Sequence, residues 1–319
     1  MSVSQGRAAG AAALLVKKVA ETLLIFWAAA TLVFFLLDAL PGDPAAVLLA
    51  QSGASGSQVE AMRREMGLDR PVLARYVHFL GDLSRGELGR SIFTGRKVSL
   101  LLLDRFRYTL ELATWAMIFA LAVALALGIA AAINKGRWLD KAIQVWVAFT
   151  SSVPVYWSGL LAIWVFSAHF RLLPATGEGG IAHMILPTVT LGLAISGPLA
   201  RIVRNSFLEV MGNQYVMTAW GKGMPPWRVY LRHVFPNTLP VLATVSGLQF
   251  GFLLGGTVIT ETVFSRPGLG RLLVDSILWK DYPVVQGAVL AITAIYLVVN
   301  SLVDISYRLM DPRMHGGAG

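Results

Sequence analysis

Six stretches of this chain are each mainly apolar over about twenty residues, the length an α-helix needs to cross the hydrocarbon of a bilayer. They run roughly 19–40, 108–133, 142–169, 184–203, 237–260 and 283–305. Lipid offers no partner to backbone N–H and C=O groups, so each span has to satisfy its own hydrogen bonds as a helix. The expected fold class is all-α, a polytopic membrane protein with six transmembrane helices. Composition agrees: 55% of 319 residues are hydrophobic, 14% are charged and the mean hydropathy is +0.63, outside the soluble range. The fourth stretch is the weakest. Pro187 and Pro198 interrupt it, and it is rich in Gly and Ala, so it counts as a span because its neighbours require one to keep the topology consistent. The first follows Lys17 and Lys18 as a signal peptide would. It is too long for that, however, and Leu40-Pro-Gly-Asp-Pro after it is no small-residue cleavage site, so it reads as a retained anchor.

Lys and Arg in short loops set the orientation. Arg7, Lys17 and Lys18, then Lys135, Arg137 and Lys141, then Arg201, Arg204, Lys222, Arg228 and Arg232, and finally Arg308 and Arg313 all fall on one side. The opposite short loops balance each base with an acid: Arg171 with Glu178, and three of each between Glu261 and Tyr282. Both termini are therefore expected inside. The segment 41–107 carries more bases than acids, but long loops translocate largely regardless of charge. The net charge of +9 is thus a signature of topology, and no soluble basic face suggests nucleic acid. With no cysteine, there is neither a disulfide framework nor thiolate chemistry.

These assignments divide the chain into a cytoplasmic N-terminus (1–18), a first span (19–40), an external segment (41–107), a core of five further spans (108–305) and a cytoplasmic C-terminus (306–319). In the external segment, Ser57 with Glu60 predicts a capped helix to Met66, broken at Gly67, followed by a second amphipathic helix from Pro71 to Leu83. It reads as a lid over the spans or as a landing surface for an extracytoplasmic partner. The cytoplasmic connection 205–236 is more informative. At about thirty residues it far exceeds the roughly 2–8 that join packed helices. Gln214 to Lys222 fits a short helix, Gly223 a left-handed stop, and Pro226 the first turn of a second helix ending before Pro236. On that second helix Val229, Leu231, Val234 and Phe235 alternate with Arg228, Arg232 and His233, an interfacial pattern. Two short helices on the positive side make a docking surface.

Small residues at Thr218 and Ala219, Gly223 and the later Pro236 resemble the Glu-Ala-Ala loop of ATP-binding-cassette importer permeases. Tyr215-Val-Met-Thr-Ala-Trp-Gly-Lys-Gly, Arg232-His-Val-Phe-Pro-Asn, Gly247-Leu-Gln-Phe-Gly, Glu261-Thr-Val-Phe, Pro267-Gly-Leu-Gly-Arg, Asp281-Tyr-Pro-Val-Val-Gln and Asp311-Pro-Arg extend the match. Together they resemble the dipeptide/oligopeptide/nickel permeases, the first of the two permease subunits in particular. Met217 stands where the general motif has its acid, Gly221 where the subfamily usually has Ala, and Pro225-Pro226 replaces a polar entry. The resemblance implies a type I importer permease fold. It also implies a loop contacting an ATPase through Tyr215, Met217, Thr218, Ala219, Lys222, Gly223 and Pro236. Its implied partners are a second homologous permease, two ATPases carrying ATP and Mg, and an extracytoplasmic binding protein, in the lipids of a bacterial inner membrane. Short peptides are the first expected cargo, with nickel chelates or glutathione as alternatives.

The remaining chemistry accords with a subunit that has no catalytic site and binds no cofactor or metal itself. Gly221-Lys222 lacks the earlier glycine of a phosphate-binding loop, and the five histidines lack metal spacing. A secondary transporter would need a carboxylate at a span centre; Asp38, Glu111 and Asp304 lie near span ends, and no internal repeat is evident. A membrane enzyme would need a clustered set of reactive groups, whereas Glu261, Asp275 and Asp281 read as loop caps and salt bridges. In the fifth span Gly247, Gly251 and Gly255 recur at four-residue spacing, which predicts one stripe for close helix packing. With Gln249 they would border, by the same resemblance, a path shared with the second permease.

Overall fold

The structure, a computed structural model, describes residues 2–40, 44–49, 55–65 and 67–310, with side chains described between 16 and 303 apart from 44, 47, 48 and 65. Pro41, Gly42 and Asp43, Met66, and the residues from Asp311 on, Arg313 among them, lie outside the described residues. Among the described residues the regular elements are all helices, apart from one isolated antiparallel bridge, Arg90 to Lys97. Five helices or helix runs are long and apolar enough to span a membrane, and a sixth span forms if one bent pair is counted as a unit.

The chain divides into two compact units. One comprises residues 1–105 and 272–297, and the other 106–271 and 298–319. In the first, α1 (Ser2–Ala39) is the N-terminal span, followed by α2 (Pro44–Leu49), α3 (Gly56–Glu65) and α4 (Val72–Ser84). The cap of α3 lies two residues earlier than predicted: the backbone N–H of Ser55 donates to Gln58 Oε1 at 2.8 Å, the one half of a capping box that is formed, at Ser55 and Gln58 instead of Ser57 and Glu60. Gly67 breaks the chain at φ +66°, as expected. Helix α4 lies against α1, where Tyr76 donates or accepts a 2.7 Å hydrogen bond with Thr31 and Phe79 stacks on Phe34. Arg75 pairs with Asp38, a partner for one of the acids noted near a span end. In the same unit Asp281, just before α13 (Tyr282–Met310), accepts from Ser91 Oγ at 2.6 Å and the Ile92 N–H at 3.1 Å, pinning the 91–97 turn.

The second unit is built around α8 (Ala182–Met211). The segment that looked weakest in the sequence is a continuous 30-residue helix and the most buried of the candidate spans, with 56% of its most apolar window inside. Its small residues are the reason. A Cβ on Gly192 would sit 2.7 Å from Phe119 of α5 (Val98–Ile133), and one on Gly197 would sit 2.7 Å from Thr150 of α6 (Trp138–Ser152). Gly128 of α5 returns the contact against Val203 and the Ala200 carbonyl. Hydropathy is a poor guide for such a helix, because its neighbours are protein instead of lipid. Leu112, Ala116, Leu191, Leu199, Val203 and Leu253 form the core of the unit.

The third apolar stretch is not one straight span. It breaks at Val153-Pro154 into α6 and a second piece, α7 (Val155–Ala162) continued by a π-helical stretch to His169, bent 98° from the first. Pro154 has no N–H to donate into the preceding turn and forces Val153 into an extended conformation, φ −84°, ψ 123°. At the far end of α11 (Phe235–Val263), Glu261 is completely buried within the helix, not in a loop. It accepts from Thr109 Oγ1 at 2.6 Å, the Gly270 N–H at 2.7 Å and the Arg271 N–H at 3.3 Å. Thr109 Oγ1 in turn accepts the Leu269 N–H at 2.8 Å. The two side chains thereby cap α12 (Leu269–Leu278), the capping role expected of Glu261.

Candidate docking site

The connection between α8 and α11 is a small folded element with an inside and an outside. After α8 ends at Gly212, Asn213 turns extended and α9 (Gln214–Gly221) begins, with the Val216 and Met217 N–H groups bonding to the Asn213 carbonyl at 3.0 and 3.1 Å. Val216 and Ala219, three residues apart on one face, are buried at 0% and 5% exposure. Tyr215, Met217 and Thr218 face outward, with Met217 62% exposed. Gly223 stops the helix at φ +73°, and the stop is a Schellman motif: its N–H bonds the Trp220 carbonyl at 2.9 Å and the Met224 N–H reaches the Ala219 carbonyl at 3.3 Å. Lys222 and Gly223 are exposed, and a Cβ on Gly223 would meet nothing within 4 Å.

Pro225 is extended and Pro226 takes the first helical position of α10 (Pro226–Val229). The paired prolines thus serve as an entry to the second helix. That helix does not end before Pro236. It runs on through a π-helical turn, Tyr230–Val234, into α11, where Pro236 stands in the first turn. A proline ring inside an α-helix clashes with the carbonyl four residues back and leaves it without a donor; the wider π turn directly before Pro236 absorbs the misfit. Pro236 itself is exposed. Continuity changes the reading of the interfacial pattern. Val229 and Val234 are fully buried, whereas Leu231 is 64% exposed, so a five-residue π spacing selects the inward face.

The base under this element is a cluster of Ala132, Phe207, Val210, Val216, Val229 and Val234. The Tyr230 ring sits between Phe207 (5.9 Å) and Trp220 (5.7 Å), joining α8, α9 and the π turn. Close by in sequence, Arg204 of α8 donates through Nε and Nη2 to Asp140 of α6, both at 2.8 Å, and the Gly136 N–H adds a third bond to that carboxylate at 2.9 Å. Sequence reasoning counted Arg204 only as a topological charge and did not single out Asp140, although an acid among so many loop bases was the available signal. The connection is therefore packed against α8 and the π turn that leads into α11, and its exposed crest comprises Tyr215, Met217, Thr218, Lys222 and Gly223.

The glycine stripe is not a single seam. Gly247 meets Val303 of α13 so closely that no Cβ fits, Gly251 is buried, and Gly255 is exposed with open space before it. Four residues turn a helix through about 400°, so successive members advance about 40° and the third has left the seam. Gln249 is half-buried.

Five candidate spans, or six with the bent pair, and a folded, exposed element between α8 and α11 are the features of a multi-pass membrane protein, and family comparison makes it a permease of the binding-protein-dependent transport class. The family described as "Binding-protein-dependent transport system inner membrane component" matches residues 124–316, and its N-terminal membrane component matches residues 12–113. The chain belongs to this family. It is 38% identical over 308 residues to the probable peptide ABC transporter permease protein y4tP of Sinorhizobium fredii, covering 94% of this chain and 98% of that one. It is 39% identical over 291 residues to the glutathione transport system permease protein GsiC of Salmonella choleraesuis, covering 91% and 94%. Among solved structures, one of the inward-facing MetNI methionine ABC transporter superposes with a TM-score of 0.58 at 18% identity over 66% of this chain and 97% of that one, a likeness of fold alone.

Proposed function

We propose that this chain is the first permease subunit of an ATP-driven importer of short peptides in a bacterial inner membrane. The observation that carries the reading is the α9 crest, exposed along Tyr215, Met217, Thr218, Lys222 and Gly223 and fixed from beneath by Val216, Ala219 and Tyr230. A surface that is packed from beneath and uncovered above suits transmission of a partner's movement into α8 and α11. The partners are two cytoplasmic ATPases, which bind ATP and Mg, a homologous second permease that completes the translocation path, and an extracytoplasmic binding protein that delivers cargo. End-to-end identity of 38–39% to permeases named for peptide and for glutathione transport favours a short peptide over a metal chelate.

Gly223 gives the direct test. With open space at its Cβ position, a side chain there projects outward and leaves the core untouched. The left-handed backbone costs about 1–2 kcal/mol for a residue with a Cβ, and Asn tolerates it better than most. Gly223→Asn is expected to keep most ATP-coupled uptake, whereas Gly223→Trp adds bulk on the crest and abolishes ATPase co-purification while the permease still accumulates. A Trp variant that co-purifies its ATPases and imports as the wild type does would refute the docking role. Competition of uptake by dipeptides, glutathione and nickel then ranks the cargo.

A further inference from the structure

The second unit holds a cavity of roughly 860 Å³ between the outer end of α5, the start of α8 and the loop after α11. On α5 the positions 107, 111, 115 and 119 recur at four-residue spacing and place Arg107, Glu111, Trp115 and Phe119 along one wall. Thr188 and Met184 of α8 line the opposite wall, and Arg266 reaches in from the loop. By the orientation assigned from the loop charges, the cavity faces the outside.

Arg266 is the unusual member. It is only 3% exposed, yet its Nε is buried without a hydrogen-bond partner, and its Nη2 lies 3.4 Å from Glu111 Oε2. A well-made guanidinium–carboxylate bond is about 2.7–2.9 Å, so Glu111 holds this cation loosely, and the other acid near it, Glu261, is already engaged by Thr109, Gly270 and Arg271. The Thr188 hydroxyl is likewise buried without a partner. Buried donors left unmade are costly and uncommon, and the Nε/Nη edge of a guanidinium has the spacing to take both oxygens of a carboxylate. The other charges set the rest of the ligand. Glu111 and Glu178 balance Arg107 and Arg266, so the cavity suits a molecule bearing one charge of each sign. Trp115 and Phe119 offer an apolar wall to a side chain.

From this geometry we infer that the cavity is a peptide subsite within the permease itself. Arg266 and Thr188 take the C-terminal carboxylate, Glu111 and Glu178 face the ammonium, and Trp115 and Phe119 receive a side chain. The inference rests on the peptide-import reading and adds to it that this chain contributes to cargo selection beyond the binding protein.

The test is equilibrium binding of tritiated alanyl-phenylalanine to the assembled permease–ATPase complex in lipid nanodiscs, without binding protein. Amidating the probe's C-terminus should weaken binding about tenfold or more, and Arg266→Gln should weaken the unmodified probe by a similar factor. The two changes together should lose no more than either alone, because both remove one interaction. Thr188→Val, nearly isosteric, should weaken the unmodified probe about threefold to tenfold, and N-acetylation should weaken it similarly in the wild type alone and not in Glu111→Gln combined with Glu178→Gln. Fully additive losses, or wild-type affinity in Arg266→Gln and Thr188→Val, would overturn the subsite. Should Arg266→Gln fail to assemble, wild-type affinity in Thr188→Val overturns it by itself. A complex that imports the dipeptide without saturable binding also refutes the subsite and leaves the import reading standing, whereas a complex that imports no peptide removes both.

Discussion

Breaking the Asp140–Arg204 pair should loosen the base of the docking element without touching its crest. Asp140 accepts three hydrogen bonds, two at 2.8 Å from Arg204 and one at 2.9 Å from Gly136, and its side chain is 6% exposed against 19% for Arg204. Removing one member of a buried pair generally costs about 3–5 kcal/mol, because the other charge stays behind uncompensated. Arg204 retains about a fifth of its exposure, and Asn at 140 still accepts the Gly136 N–H, so Asp140→Asn is expected to cost about 2–3 kcal/mol. Arg204→Leu leaves the more buried carboxylate stranded and should cost about 3 kcal/mol. Combining the two removes both charges, and the double variant should recover about 1–3 kcal/mol relative to the sum of the singles. The assay is unfolding of the purified chain in mixed micelles titrated with dodecyl sulfate and followed by far-UV circular dichroism. Because α8 passes directly into α9 through Gly212, coupled uptake should fall in Asp140→Asn even where accumulation is near normal. Single variants costing under about 0.5 kcal/mol, or strictly additive losses in the double variant, would refute the claim that this pair anchors α8 to α6.

Glu261→Gln should destabilise by about 1–3 kcal/mol, because an amide that keeps its oxygen on the Gly270 N–H turns its NH2 to Thr109 Oγ1, whose own O–H then loses its acceptor; stability equal to wild type in the same titration would contradict the capping role. Gly247→Ala should cost about 1–3 kcal/mol through its overlap with Val303, and Val303→Ala should relieve most of it. Gly255→Ala, with open space around it, should leave the stability of the isolated chain unchanged. A loss there matching that of Gly247→Ala would show that the stripe is one seam after all.

The sequence revealed the solvent and where the apolar helices lie, because those depend on a quantity local to each segment, its apolar length. The stop at Gly223 was legible for the same reason, since a left-handed backbone is a single-residue property. Less legible was anything set by what lies across from a residue. Gly and Ala made α8 look like the poorest span when they mark the helix packed most closely by others. The prolines show the same limit from both sides: Pro154 breaks a helix that the apolar pattern drew as straight, while Pro236 sits in a continuous one because a π turn absorbs its misfit.

The docking surface divides along that line. Its first helix, the stop at Gly223 and the entry at Pro226 followed from the chain alone, whereas the continuity of the second helix into α11 did not. Which residues form the crest and which the foundation did not, since Ala219 and Thr218 are adjacent in sequence and only packing against Phe207, Tyr230 and Val234 turns one inward and leaves the other exposed. Arg266 is the extreme case. In the sequence it was one charge in a balanced external loop, and only the tertiary structure buries it beside Glu111 with one edge unmet, because burial and hydrogen bonding arise from segments more than 150 residues apart in the chain.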